Sequence, residues 1–209
     1  MGTDETNETS EPQETRIVTV ELGTYPPEGA ALVNPGAVEF GGVNATMTDV
    51  YRTPSGNGVR MVAALRVQGQ MESNVFTVSG TAVRYGSVFS VTTPKYQRNG
   101  NVIGIGRNES IPTTPVAATL TANVSTAVAD EVETGDEYRL AGQTVATVQD
   151  VTRTQTGDEQ VRLTVRAEFV ARETASGPVY GDAPIRVGRQ LTIATDRYQF
   201  VGEVTDVAQ

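Results

Sequence analysis

The chain has 209 residues, with 16 Lys+Arg against 25 Asp+Glu and a formal net charge of -9. Cysteine, histidine and tryptophan are absent, which removes disulfides, thiolate nucleophiles, imidazole bases and the common zinc, copper and iron ligands. The acid excess also argues against a nucleic-acid partner, because phosphate binding needs a concentrated cationic face.

Residues 1–15 carry five carboxylates and Met1 as their only large apolar side chain, so they are expected to form a flexible tail. This polar Thr/Glu/Asn/Ser leader has the composition of a segment that follows a membrane anchor outside a cell, and Met1-Gly2 is compatible with an anchor having been replaced. No stretch approaches the roughly 18 apolar residues that cross a bilayer as a helix. Residues 17–22 alternate apolar and polar and read as a strand. A short helix is expected over 27–33, starting at Pro27 and stopping near Asn34-Pro35-Gly36. Residues 59–67 read as a strand after the turn chemistry of Thr53-Pro54-Ser55-Gly56-Asn57-Gly58. Residues 107–115 form a linker. A second helix is expected over 125–132, with Ser125 as its cap and Gly135 beyond its end. Strands follow over 161–169, 185–193 and 198–207, with a hairpin turn at Gln155-Thr156-Gly157-Asp158.

An internal repeat organises these elements. Ala45-Thr46-Met47-Thr48-Asp49-Val50-Tyr51-Arg52-Thr53 and Ala146-Thr147-Val148-Gln149-Asp150-Val151-Thr152-Arg153-Thr154 share the pattern A-T-x-x-D-V-x-R-T. Arg84-Tyr85-Gly86 matches Arg186-Val187-Gly188, and Phe89, Val91, Thr93, Tyr96 and Gln97 match Leu191, Ile193, Thr195, Tyr198 and Gln199. Matched order and spacing over this length imply two homologous units, residues 16–106 and 116–207. With few helices to cover a parallel sheet, the expected fold is all-β, with one short helix per unit. It comprises two tandem antiparallel β-barrel or sandwich units, either separate or exchanging strands. Lys95 is the only lysine, and an acidic, Lys-poor, Cys-free chain suits a halophilic source in which salt screens self-repulsion.

Three stretches of the second unit carry a family likeness: residues 124–136, residues 142–151, and Pro184-Ile185-Arg186-Val187-Gly188 through Tyr198-Gln199-Phe200-Val201-Gly202-Glu203-Val204. In these the chain resembles an uncharacterised domain family of unknown function in archaeal and bacterial proteins, often with an N-terminal membrane anchor. The first unit departs from the pattern, with Ala82-Val83 in place of Pro184-Ile185 and Asn34-Pro35-Gly36 in place of Thr134-Gly135-Asp136. The resemblance implies an anchored, envelope-facing module and supplies no activity, cofactor or catalytic residue.

Four N-x-[ST] sequons, at Asn7, Asn44, Asn108 and Asn123, are candidate glycosylation sites, with Asn7 and Asn108 the most accessible. Arg60, Arg84, Arg162 and Arg186 recur at matched positions and are candidate contacts for an anionic glycan; the alternative is an exposed strand face offset by acids. The acidic run Asp130-Glu131-Val132-Glu133-Thr134-Gly135-Asp136-Glu137 lacks the spacing that wraps calcium and reads as a solvated helix end and turn. Asp49 and Asp150 are the repeated carboxylates, expected to pair with Arg52 and Arg153 within their units; brought together, they could act as the acid and base of a polysaccharide hydrolase. The alternatives are that polysaccharide-directed hydrolase and a purely structural spacer; the leading expectation is a non-enzymatic extracytoplasmic module of a cell-surface protein. It acts through an envelope protein or anionic glycan, needs no metal or cofactor, and reaches the membrane only through an anchor outside this sequence.

Overall fold

The computed structural model describes residues 13–208, so the expected tail up to residue 12, with Asn7, lies outside the described residues. The first run of elements is β1 (Gln13–Tyr25), α1 (Pro27–Ala30), β2 (Gly36–Phe40), β3 (Val43–Ser55), β4 (Gly58–Glu72), β5 (Val75–Val78), β6 (Thr81–Ala82), β7 (Val88–Thr93) and β8 (Tyr96–Gly106). The second is β9 (Thr113–Ser125), α2 (Thr126–Glu131), β10 (Glu137–Leu140), β11 (Gln143–Gln155), β12 (Gln160–Arg172), β13 (Gln190–Ala194) and β14 (Gln199–Val207). The described residues are therefore nearly all antiparallel β, with two short helices among them. Strands β1 and β9 begin three residues inside the expected tail and linker.

Alternation explains the strands. Along β12, Val161, Leu163, Val165, Ala167, Phe169 and Ala171 are buried, while the intervening Arg162, Arg166 and Glu168 are exposed. A period of two with β-branched residues suits a strand that has one face on a core and the other in water. Helix α1 begins at a proline, whose missing N–H is not needed there. Helix α2 is capped by Ser125, whose Oγ accepts from the Val128 N–H at 3.4 Å.

The chain packs into two compact units, residues 13–22, 34–50 and 62–110 in one and residues 23–33, 51–61 and 111–208 in the other. The first sheet runs β1-β8-β7-β2-β3-β4, and β4 pairs back onto β1 to close a ring of six strands, with β5 and β6 continuing outward from β4. Its interior holds Val18, Val20, Phe40, Met47, Leu65, Val91 and Val102. The second sheet runs β10-β11-β12-β9-β14-β13 over a core of Leu120, Leu163, Val165, Phe169, Ile193 and Val204. Element for element, β9 to β14 follow the order of β1, β2, β3, β4, β7 and β8. Apart from β5 and β6, the two sheets differ at one place, because β2 pairs with β7 whereas β10 does not pair with β13.

A small backbone clip recurs. Gly86 donates to Val102 O, Val102 N–H to Ser87 O, and Ser87 N–H to Arg84 O, at 2.8, 2.8 and 3.0 Å. Gly188, Val204, Arg189 and Arg186 repeat it at 2.8, 2.8 and 3.1 Å, and both glycines have φ +84°, a conformation that strains other residues. This clip corrects the expected strand over 185–193. Residues 185–189 turn instead, held by the Arg189 guanidinium on the carbonyls of Ala183 and Pro184 and on Asp182, and β13 starts at Gln190.

Candidate functional site

The repeated A-T-x-x-D-V-x-R-T motif is resolved into structural roles. Arg52 reaches the Val33 carbonyl just beyond α1, and Arg153 reaches the carbonyls of Ala129, at 2.8 Å, and Val132 at the end of α2. Arg153 thus satisfies carbonyls at the end of α2, where a cation also complements the helix dipole, while Arg52 holds one carbonyl in the turn after α1. The expected pairing of Arg153 with Asp150 is replaced by this bond. Asp150 is exposed on β11, directly opposite Arg166 of β12. Asp49 is half-buried on β3, where its Oδ1 accepts from the Val50 N–H at 2.8 Å.

The repeat also contains a residue whose role the sequence did not disclose. The ladder between β11 and β12 ends at Ala146 opposite Phe169. Just past it, the Tyr51 hydroxyl donates to Val170 O at 2.8 Å and accepts from the Arg172 N–H at 3.1 Å, an N–H that also donates to Val179 O at 2.8 Å, so the phenol packs beside the Arg172–Val179 bridge. Burial pushes the Tyr51 phenol far above its ordinary range, against the opposing effect of Arg172.

The seam between β10 and β13 is the most distinctive surface feature. In the first sheet the equivalent seam is closed: Glu39 lies opposite Thr92, Phe40 opposite Val91, and the Gly41 N–H donates to Ser90 O at 3.0 Å. Phe40 and Phe89 stack across it with ring centroids 4.7 Å apart. Gly41, at φ +57°, makes this possible, since a Cβ there would stand 2.7 Å from Phe89 Cδ1. In the second sheet the matching residue is Ala141, at φ +48°, which does carry a Cβ. Leu140 and Leu191 stand where the stacked phenylalanines would be, and a register shift between Tyr138 and Arg139 distorts β10. A bulge with charged side chains is how sheet edges resist pairing.

At one end of the open seam lies a groove of about 510 Å³, lined by Asp136 and by Glu137, Tyr138 and Arg139 of β10 on one side, and by Ala194 and the β13–β14 turn residues Thr195, Asp196 and Arg197 on the other. Thr195 Oγ1 shapes the second wall by accepting from the N–H groups of Arg197 and Tyr198 at 3.2 and 3.3 Å. Asp136 is the hub of the groove. Its Oδ2 accepts from Tyr198 OH at 2.7 Å and from the Glu133 N–H at 2.8 Å, and its Oδ1 meets Arg197 Nη2 at 2.6 Å. Partial burial works to raise the Asp136 carboxyl, but these donors and the Arg197 charge outweigh it and hold the group below its ordinary value. The Tyr198 phenol is pushed well up by burial first and by bonding to Asp136 second. Arg197 is also 3.5 Å from both Glu131 and Glu133. The acidic run of residues 130–137 is mostly exposed at the end of α2 and the turn after it, as expected of a solvated helix end, with Asp136 and Glu137 lining the groove and Arg197 reaching Glu133 and Asp136 across separations of 64 and 61 residues.

The other expected sites are placed as follows. Asn44 is exposed near the start of β3, opposite Glu39, and Asn123 is exposed on β9, opposite Arg162. Asn108 is exposed in the connection between the last strand of the first sheet and the first strand of the second. Its Oδ1 accepts from Ser110 N–H and Oγ at 3.4 and 3.2 Å, so the sequon is folded into its own turn. Arg60 is half-buried on β4, Arg84 and Arg186 are exposed in the two clips, and Arg162 is exposed on β12; Arg162 and Arg186 do not line the groove. Among the described residues no three acidic side chains are grouped as metal ligands, and no helix is long and apolar enough to cross a membrane. No family model, curated protein or solved structure matches the chain.

Proposed function

We propose that the protein is a non-enzymatic recognition module of a salt-adapted cell envelope, built from two copies of one unit, with the open seam of the second sheet as its protein-contact surface. One observation carries this reading: the same strand order ends in a paired seam in the first sheet and in a charged, unpaired groove in the second. A protein that keeps one copy closed for stability and opens the other gains a binding edge without a new fold. The duplicated unit is supported by the matched strand order, by the clips at Gly86 and Gly188, which fall at matched positions although the same bonds are also made once more at Gly135, and by the Thr93 and Thr195 hydroxyls that cap equivalent turns. The envelope placement rests on the acidic, Lys-poor composition, the resemblance to an anchored family, and an exposed sequon at Asn108.

The test is retention of a partner from native membranes at the source's own salt, comparing the tagged protein with a Glu137→Arg, Asp196→Arg double variant. Both positions are exposed, so the fold is expected to survive the exchange. One identified envelope protein, retained by the parent and lost by the variant, is the expected result. Equal retention by both proteins rejects the seam as the contact surface. Peptide mapping of the native protein is expected to find a glycan on Asn108, in a connection between strands, and none on Asn123, which lies within β9 opposite Arg162 of β12.

A further inference from the structure

We infer that the first unit carries an open copy of the socket that holds Tyr51 in the second, and that it takes the phenol of a tyrosine presented on a hairpin of a partner protein. The site belongs to the first unit and does not rest on the reading of the seam. The first argument is correspondence. Val59-Arg60-Met61 matches Val161-Arg162-Leu163, and the same spacing carried along β4 and β5 sets Gln68, Gln70, Thr77 and Ser79 against Val170, Arg172, Val179 and Gly181. Backbone pairing follows it: Gln70 lies opposite Thr77 as Arg172 bridges Val179, and Val78 lies opposite Thr81 as Tyr180 bridges Ala183. In the second unit these positions hold a guest. The Tyr51 hydroxyl, brought by the β3–β4 hairpin, donates to Val170 O at 2.8 Å, lies 3.3 Å from Val179 O and accepts from the Arg172 N–H at 3.1 Å. Tyr51 is 4% exposed there, and residues 51–61 pack with the second unit. In the first unit all four matching residues, with Gln13, Val43 and Gly69, line an open pocket of about 220 Å³. A cavity of roughly 150 Å³ already accommodates a benzene ring.

The second argument is chemistry. None of the residues lining the pocket is charged. The Thr77 hydroxyl donates to Glu72 at 2.9 Å and the Ser79 hydroxyl to Gly41 O at 3.2 Å, while the side-chain amides of the exposed Gln68 and Gln70 offer further donors and acceptors. Such a wall favours an uncharged occupant that both donates and accepts a hydrogen bond, as a phenol does and a carboxylate or ammonium does not. The third argument selects the partner. In a second copy of this chain Tyr51 is already buried, and the matching hairpin carries Thr152 in its place, at the start of an exposed, polar run over residues 152–160. The hairpin phenol therefore comes from another protein.

The test uses the full chain with p-cresol, which is the free tyrosine side chain, with toluene, which lacks the hydroxyl, and with a backbone-cyclised peptide of residues 49–60 in its native and Tyr51→Phe forms. Amide NMR gives location and affinity. p-Cresol and the native peptide are expected to shift amides of residues 68–70 and 77–79, with toluene and the Tyr51→Phe peptide weaker by about fivefold or more. Affinity is expected not to weaken with salt, since no charge lines the pocket. Gln68→Trp, at an exposed position, lays a ring across the pocket and is expected to abolish the shifts while the rest of the spectrum is kept. Equal binding by toluene overturns the phenol preference, and shifts that survive Gln68→Trp overturn the location. Binding of p-cresol without binding of the peptide overturns the hairpin partner. If the same amides shift with protein concentration alone, and no longer do so in Tyr85→Ser, whose phenol is 81% exposed, the occupant is a second copy and the choice of partner is overturned. Absence of any shift with p-cresol overturns the inference as a whole.

Discussion

Replacing Gly41 by alanine tests why one seam closes and the other does not. Gly41 sits at φ +57°, where a side chain costs about 1 kcal/mol or more. Its new Cβ would lie 2.7 Å from Phe89 Cδ1 and 3.3 Å from Cε1, and that ring is stacked on Phe40 and nearly buried, so it has little room to give. Overpacking of this kind typically costs about 1–3 kcal/mol, and the two contributions together predict a loss of about 2–4 kcal/mol. The reciprocal change, Ala141→Gly, removes the same backbone strain from φ +48° and is expected to stabilise by about 1 kcal/mol. Urea denaturation of both variants, followed by amide exchange so that each unit is read separately, gives the two numbers with the slope m as a check on the denatured state. A Gly41→Ala protein within about 0.5 kcal/mol of the parent would refute the close approach as the reason for closure.

Tyr51→Phe leaves Val170 O without its phenol donor, and is expected to cost about 1–3 kcal/mol in denaturant titrations; a change within experimental scatter would contradict that role. Burial, the largest cause in each case, raises the phenols of Tyr51, Tyr138, Tyr180 and Tyr198 in the folded state. The unfolded chain therefore releases these protons first, so stability holds below about pH 10 and falls as pH rises beyond it, with phenolate absorbance appearing together with unfolding. Independent titration of all seven tyrosines near their ordinary value, with the fold intact, would contradict it. Asp136 is lowered in the folded state, so its contribution is present above its ordinary value of 3.8 and is lost as pH falls through the folded value. Asp136→Asn is thus expected to melt below the parent at neutral pH and to converge with it in acid; a gap independent of pH would show that the ionised carboxylate contributes nothing.

Much of the architecture was readable because it rests on local patterns. Alternation located β12 and β14, proline and serine marked the starts of α1 and α2, and the recurring A-T-x-x-D-V-x-R-T motif pointed to equivalent strands. The stretch over 185–189 was misread because alternation continued into a turn whose shape depends on Gly188 and on Arg189 reaching back to Ala183. The groove was less legible. Asp136, Arg197 and Tyr198 meet only when β10 and the end of β13 are brought together, and nothing in the spacing of an acidic run announces an arginine from the far edge of the sheet. The sequence offers a single cue, Gly41 against Ala141 at corresponding hairpin turns, and its meaning depends on Phe89, in whose place the second sheet has Leu191. Arg52 and Arg153 illustrate the converse: the motif is visible in the sequence, but that its arginines hold backbone carbonyls after α1 and at the end of α2 is not.

The central claim is that the second sheet keeps an unpaired seam where the first is closed, and native-state hydrogen exchange on the free protein tests it most directly. The account predicts that the Gly41 amide, bonded to Ser90 O, exchanges only with the larger openings of its unit, while the Ala141 amide and the groove-facing amides of β13 exchange orders of magnitude faster. Equal protection of Gly41 and Ala141 would mean that both seams are closed in solution, and would contradict it.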